Sequence, residues 1–253
     1  MSKTQPLFAF FGTSIDSKFA LEALERVGLV PALIIENKDE LPPELYNTEW
    51  DFFLVASYGK ILKKEILDLP KHGCINIHPS LLPKFRGPSP YVSAILADER
   101  ETGVTLMLMA EKMDAGPILA QARIAIEESE WPPKALLLSQ MLFTEGVTLL
   151  AEALPEYLAG TLTLEQQDHS QATYTRKFSD QDALVDLSED ARKNLLTIRA
   201  FDKNPRAYFI TKKNKRVIIT DAKLTDGKLE ILTVIPEGKK EMLYADYLRG
   251  VQN

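Results

Sequence analysis

The sequence predicts an α/β fold, a mostly parallel sheet covered by helices, followed by a small β-rich domain. Three observations carry this. Over the first 158 residues, short apolar runs alternate with helical stripes, the pattern of strands joined by crossover helices. Beyond residue 200, three strand-like runs are separated by tight turns instead. The length of 253 residues, 45% hydrophobic and 26% charged, suits one large domain plus a small one.

The elements follow in order. "LFAFFG" (7–12) reads as a buried strand stopping at Gly12. "SKFALEALERVG" carries an apolar stripe at 19, 20, 23, 24 and 27 and ends on Gly28, a C-cap residue. "VPALIIE" and "DFFLVAS" are the second and third strands. "GKILKKEILDLP" is a short helix stopped by Pro70, and "GCINIH" is the fourth strand. "SPYVSAILADE" is a helix with Pro90 in its first turn. "GVTLMLMAE" and "ILAQARIAI" are two more strands, and a helical pattern from Lys134 to Leu158 closes this part. After it come the helical "EDARKNLLTIRAF" and the strands "RAYFITKK", "KRVIITDAKL" and "KLEILTVI", turned by "KKNKR" and "TDGK". They suggest a partial barrel. The domains are drawn at 1–182 and 183–253.

Composition excludes several classes. The single cysteine, Cys74, rules out an internal disulfide and a thiolate zinc cluster, and no metal is expected. No apolar run is read as the roughly 20 residues of a membrane span, and no signal peptide is recognised, so a cytoplasmic monomer is expected. The net charge of −6 argues against a generally basic nucleic-acid binder. The charge is uneven, however. Residues 189–253 carry 14 Lys+Arg against 9 Asp+Glu, and residues 1–188 carry 16 against 27. A basic end on an acidic body suits either a polyanionic partner or an unevenly solvated surface.

The chemistry centres on "CINIHPSLLPKFRGPSP". Asn76 and His78 stand two apart in a strand and so share a face, at the carboxyl end where an open α/β sheet binds its ligand. Asp114 follows in "EKMDAGPI". An imidazole, a carboxylate and a carboxamide can together handle a proton and hold an oxyanion. None of the three is a strong nucleophile, which favours direct acyl transfer. The chain has no GxSxG, P-loop or HExxH, and "FFGTSIDSKF" fails GxGxxG.

"NIHPSLLPKFRGPSP", together with "MDAG" 36 positions beyond the histidine, resembles the signature of the formyltransferases that use 10-formyltetrahydrofolate. The resemblance covers most of residues 1–180. It implies a Rossmann-like catalytic domain with Asn76, His78 and Asp114 catalytic. It also implies that Ser80, Leu81, Leu82 and Pro83 hold the folate. "ASYGKIL" adds Tyr58, Gly59 and Ile61 as folate-side candidates, and Arg86 falls among substrate contacts.

The acceptor amine is read from the rest of the chain. "IRAFDKNPRAYFI" and "VIPEGKKEMLYADYLRG" resemble the C-terminal region of the branch that formylates initiator methionyl-tRNA for translation initiation, here as an abbreviated OB-like domain. Lys212, Lys213, Lys215 and Arg216 crowd one turn of it and are candidate tRNA contacts. Three features depart from that branch, the abbreviated C-terminal domain being one. The segment 36–51 is short and acidic where a basic loop is usual, and Pro79 stands where glycine is usual. Small amines therefore stay open as acceptors, either an amino-sugar nucleotide or glycinamide ribonucleotide. So do hydrolysis of the formyl-folate and a non-catalytic folate- or RNA-binding role.

Overall fold

Six strands make the larger sheet: β1 (Phe8–Phe11), β2 (Leu33–Ile35), β3 (Phe52–Val55), β4 (Cys74–His78), β5 (Thr102–Leu108) and β6 (Ile118–Ile124). Their spatial order is β2-β1-β3-β4-β5-β6. The first four are parallel; β5 runs antiparallel to β4, and β6 to β5. "FAFF" and "FFLV" are apolar without alternation because both faces of β1 and β3 are covered. Phe8 stacks on Phe52 at 4.8 Å, while Phe11 packs with Phe53 and Tyr58. The computed structural model describes residues 5–37 and 39–252.

The chain divides into two compact units that interleave in sequence. One comprises the chain to Pro90, Glu101–Ala125 and Ser139–Thr175; the other comprises Tyr91–Arg100, Ile126–Leu138 and the chain from Arg176. The helices up to residue 158 are α1 (Ile15–Arg26), α2 (Glu44–Asn47), α3 (Lys64–Leu67), α4 (Pro90–Leu96) and α5 (Ala135–Leu158). Ser14 caps α1, its hydroxyl accepting from the N–H groups of Asp16 and Ser17, while Ser17 Oγ accepts from Ser14 N–H. Gly28, at φ +76°, follows the helix as its C-cap turn.

The length and composition of α5 correct one expectation. It is 24 residues long and apolar enough to cross a membrane by those two measures alone. Its apolar stripe is instead buried in the first unit, through Leu142, Phe143, Val147, Leu150 and Leu154. Gly146 allows the close approach: a Cβ there would stand 2.5 Å from Ile77 Cγ2 and 3.0 Å from Val104 Cγ2. Ser139 Oγ also donates to Asp16 at 2.5 Å, tying α5 to the start of α1.

The second unit holds a four-stranded antiparallel sheet, ordered β10-β9-β8-β7. Its strands are β7 (Tyr208–Ile210), β8 (Arg216–Thr225), β9 (Lys228–Pro236) and β10 (Met242–Leu243). Asp226 and Gly227, both at positive φ, make the two-residue turn between β8 and β9. Helix α6 (Ala191–Ala200) begins at the Asp190 cap and is tied to β8 by Arg199, which bonds Asp221 and the Ala222 carbonyl. The sheet is capped by a helix the sequence reading did not assign, α7 (Tyr244–Gln252). In the same unit, Asp98 accepts from Trp131 Nε1 and from Arg192, which together hold its carboxyl below the usual range.

Candidate active site

The site forms where β4 ends. Asn76 and His78 share one face of that strand, opposite Met107 and Thr105 of β5. Asn76 is half-buried, and its carboxamide has no hydrogen-bond partner among the described residues. His78 is only 4% exposed. The chain then turns sharply. Ser80 N–H donates to His78 O at 2.8 Å, closing a three-residue turn centred on Pro79. An inverse γ-turn needs φ near −75° at its centre, close to the value that the proline ring fixes. Pro79, the departure noted in the sequence, is thus a residue suited to its turn.

Thr105 and Gln121 hold the following run. Thr105 Oγ1 donates to Ser80 O at 2.7 Å and accepts from Leu82 N–H at 3.1 Å. Gln121 Nε2 donates to Leu82 O at 2.7 Å and to Thr105 Oγ1 at 2.9 Å. Farther on, Thr173 and Thr175 zip along the chain at 83–88. Thr173 N–H donates to Pro83 O, Arg86 N–H to Thr173 O and Thr175 N–H to Arg86 O. Phe85 N–H also donates to Thr173 Oγ1 at 2.8 Å.

Asp114 reaches the site from the turn between β5 and β6. Its backbone is left-handed at φ +49°, a conformation that costs a non-glycine residue about 1–3 kcal/mol and survives only when its surroundings impose it. Gly116 closes that turn. A Cβ there would lie 1.9 Å from Leu108 O, so only glycine fits. The Asp114 carboxylate accepts from Gly87 N–H at 2.7 Å, and its Oδ2 lies 3.8 Å from His78 Nδ1.

The tautomer of His78 follows from its other nitrogen. Nε2 lies 3.0 Å from Phe85 O, which can only accept, so Nε2 carries a proton. In the neutral ring Nδ1 is then bare and faces Asp114. Burial depresses the pKa of His78; the Asp114 charge and the Phe85 hydrogen bond oppose this, while nearby Arg86 reinforces it. Desolvation wins. The Asp114 carboxylate favours the charged ring but is outweighed, and the resting imidazole is neutral with an open acceptor at Nδ1. A proton arriving there is met by Asp114.

The other sequence candidates divide. Ser80 and Leu82 are turned inward: Ser80 Oγ donates to Lys84 O, and Leu82 packs on Met107 and Ile118. The Ser80 hydroxyl is thereby held within its own turn in this conformation. Leu81, Leu82 and Pro83 line a cavity of about 410 Å³ with Lys84, Gln121 and Arg123. Tyr58 is a core residue, its hydroxyl donating to Asn37 O at 3.1 Å, whereas Gly59 and Ile61 are exposed. Arg86 is corrected outright. It is 0% exposed and bonded to Gln167 and His169, so it does not reach an external substrate. Lys212 and Lys213 are exposed on the β7–β8 turn. Lys215 pairs with Glu237 at 3.1 Å; Arg216 bonds Asp180 and lies 3.8 Å over the Tyr208 ring. Sequence reasoning missed Thr105, Gln121, Gln167, Thr173 and Thr175, whose roles exist only in the folded chain.

A family model described as formyl transferase matches residues 22–136, the stretch containing Asn76, His78 and Asp114. The methionyl-tRNA formyltransferase of Roseiflexus sp. (strain RS-1) is 37% identical over 234 residues, covering 83% of this chain and 70% of that protein. That of Chloroflexus aggregans is 39% identical over 239 residues, covering 83% and 76%. The chain belongs to the methionyl-tRNA formyltransferase family. The methionyl-tRNA formyltransferase from Clostridium thermocellum shares the fold, at a TM-score of 0.70 and 22% identity over 92% of this chain and 99% of that one. So does an N-formyltransferase from Helicobacter canadensis solved with folinic acid and dTDP-3-aminofucose (TM-score 0.68, 19% identity, 88% of this chain and 89% of that one). HypX from Aquifex aeolicus, solved with tetrahydrofolic acid, matches 97% of this chain with 47% of its own (TM-score 0.74, 20% identity). Methionyl-tRNA formyltransferase membership makes the chain an enzyme of formyl transfer, and the Rossmann-like sheet places Asn76 and His78 at its carboxyl edge.

Proposed function

We propose that this enzyme moves the formyl group of 10-formyltetrahydrofolate to the α-amino group of methionyl initiator tRNA. The observation that carries the mechanism is His78, held neutral between Phe85 O and Asp114 with Nδ1 open. The amine nitrogen attacks the formyl carbon and the carbonyl π pair moves onto oxygen. The Asn76 carboxamide donates to that oxyanion. The amine gives a proton to His78 Nδ1, and Asp114 stabilises the imidazolium. The oxyanion collapses, the bond from the formyl carbon to the folate nitrogen breaks, and that nitrogen takes the proton. The exposed side chains of Ile61 and Met113 offer apolar surface for the folate rings.

Two readings of the acceptor differ in charge. The basic turn at Lys212 and Lys213 favours a tRNA backbone. The exposed Glu36, Asp39, Glu40, Glu44 and Glu49 would repel one, which favours a small amine such as an amino-sugar nucleotide. Family membership weighs for tRNA. The test is formyl transfer from 10-formyltetrahydrofolate to methionyl-tRNA, glycinamide ribonucleotide and an amino-sugar nucleotide in parallel. Transfer to a small amine alone would overturn the tRNA assignment; no transfer to any would overturn the chemistry. As a translation enzyme it would work in the cytoplasm, as a monomer.

A further inference from the structure

Arg86 is fully buried, yet among the described residues no carboxylate bonds its guanidinium. Its Nε and Nη2 both donate to Oε1 of Gln167, at 3.1 and 2.5 Å, and Nη2 also reaches Nδ1 of His169 at 2.9 Å. Nη1 has no partner. A buried cation of this kind is costly to keep, so its one strong contact is informative. Gln167 is 7% exposed, and the other end of its amide faces the Asp114 turn. Its Nε2 donates to Asp114 O at 3.0 Å and to Gly116 O at 2.7 Å. Drawing electron density through Oε1 makes Nε2–H a stronger donor, because hydrogen bonds in a chain polarise one another. The Arg86–Gly87 pair thus grips the turn twice. Gly87 N–H holds the carboxylate directly, and Arg86 holds the backbone through Gln167.

We propose that Gln167, polarised by Arg86, is the positioning residue that holds the left-handed Asp114 turn and so aims its carboxylate at His78. This rests on the reading of His78 and Asp114 as the proton-handling pair.

Gln167→Glu separates this role from plain support of Arg86. The new carboxylate keeps Arg86 satisfied, but it has no N–H for the two carbonyls and sets like partial charges against them. If Gln167 only supports Arg86, the variant matches or exceeds the parent in both stability and turnover. Under the proposal folate affinity holds while kcat falls about ten- to hundredfold, the loss expected of a catalytic group displaced by about 1 Å. Exchange of the Gly87 amide with solvent deuterium quickens as well. In an Asp114→Ala background, Gln167→Glu makes no further difference to kcat, because the group it positions is gone. An unchanged kcat with unchanged Gly87 exchange overturns the proposal, and so does a loss that multiplies with that of Asp114→Ala. If the buried carboxylate prevents folding, Gln167→Met, which also lacks the N–H, is read by the same two criteria. A parent enzyme that transfers no formyl group overturns the functional reading instead, and the Gly87 exchange still decides whether Gln167 holds the turn.

Discussion

Gly87 donates its backbone N–H to Oδ2 of Asp114 at 2.7 Å, and that same oxygen lies 3.8 Å from Nδ1 of His78. The carboxylate is thus oriented by a neutral peptide group and keeps its charge for the imidazole. A cationic partner in place of Gly87 would have drawn on that charge before any proton arrived.

His78→Ala and Asp114→Ala are each expected to lower kcat by about 10²–10⁴, the usual range for general acid–base groups, with folate affinity near that of the parent. Asn76→Ala is expected to lower kcat by about 10²–10³, as loss of one oxyanion donor does elsewhere. Steady-state kinetics alongside equilibrium folate binding check all three. A variant with parental turnover would remove its residue from the mechanism.

Stability should carry a signature of His78. Its folded pKa is depressed below the ordinary 6.5, chiefly by burial, so the unfolded chain binds the proton more readily. Its contribution to stability is fully present above that value and is lost as pH falls through the folded pKa. Denaturant midpoints measured downward from neutral pH should therefore fall, and His78→Gln should flatten part of the slope. A slope identical in the variant would show that other groups set it.

Thr105→Val keeps the shape of the side chain but strands Ser80 O and Leu82 N–H. Leaving buried polar groups unpaired costs about 1–3 kcal/mol each. The expected result is a lower thermal midpoint and a raised KM for the formyl donor, with Thr105→Ser restoring much of both. Unchanged values would mean that the Ser80–Pro83 run holds its shape without Thr105.

Lys212→Glu with Lys213→Glu should weaken tRNA binding and flatten its log–log salt dependence by roughly one to two units, as loss of phosphate contacts requires. Turnover on saturating substrate should persist. Arg216→Glu is expected to act differently, by destabilising the second unit, because Arg216 is bound to Asp180 and stacked on Tyr208. Binding titrations over a salt series and thermal melts separate the two effects.

Much of this was legible from residue order. Strands buried on both faces announce themselves as apolar runs, and the period of two put Asn76 and His78 on one face. The antiparallel β5 and β6 were found as strands, but their direction has no sequence signal. Thr105 lies inside "GVTLMLM", where it reads as an ordinary core β-branched residue; only the folded chain brings it to Ser80 and Leu82. Gln167 stands in the polar "LEQQDHS", which has no periodicity, and its partners are 81 and 53 residues away. Arg86 shows the converse. An arginine in a proline- and glycine-marked loop reads as exposed, and nothing local reveals that the chain at 167–175 folds over it.

That last arrangement bears on how the site is put together. The sheet that presents Asn76 and His78 is complete in sequence by Ile124, but Gln167, which bonds the Asp114 backbone, and the Thr173–Thr175 run along residues 83–88 come later in the chain. The Asp114 turn is therefore held through chain segments far apart in sequence, at Gly87 and at Gln167, and its setting requires both to be in place.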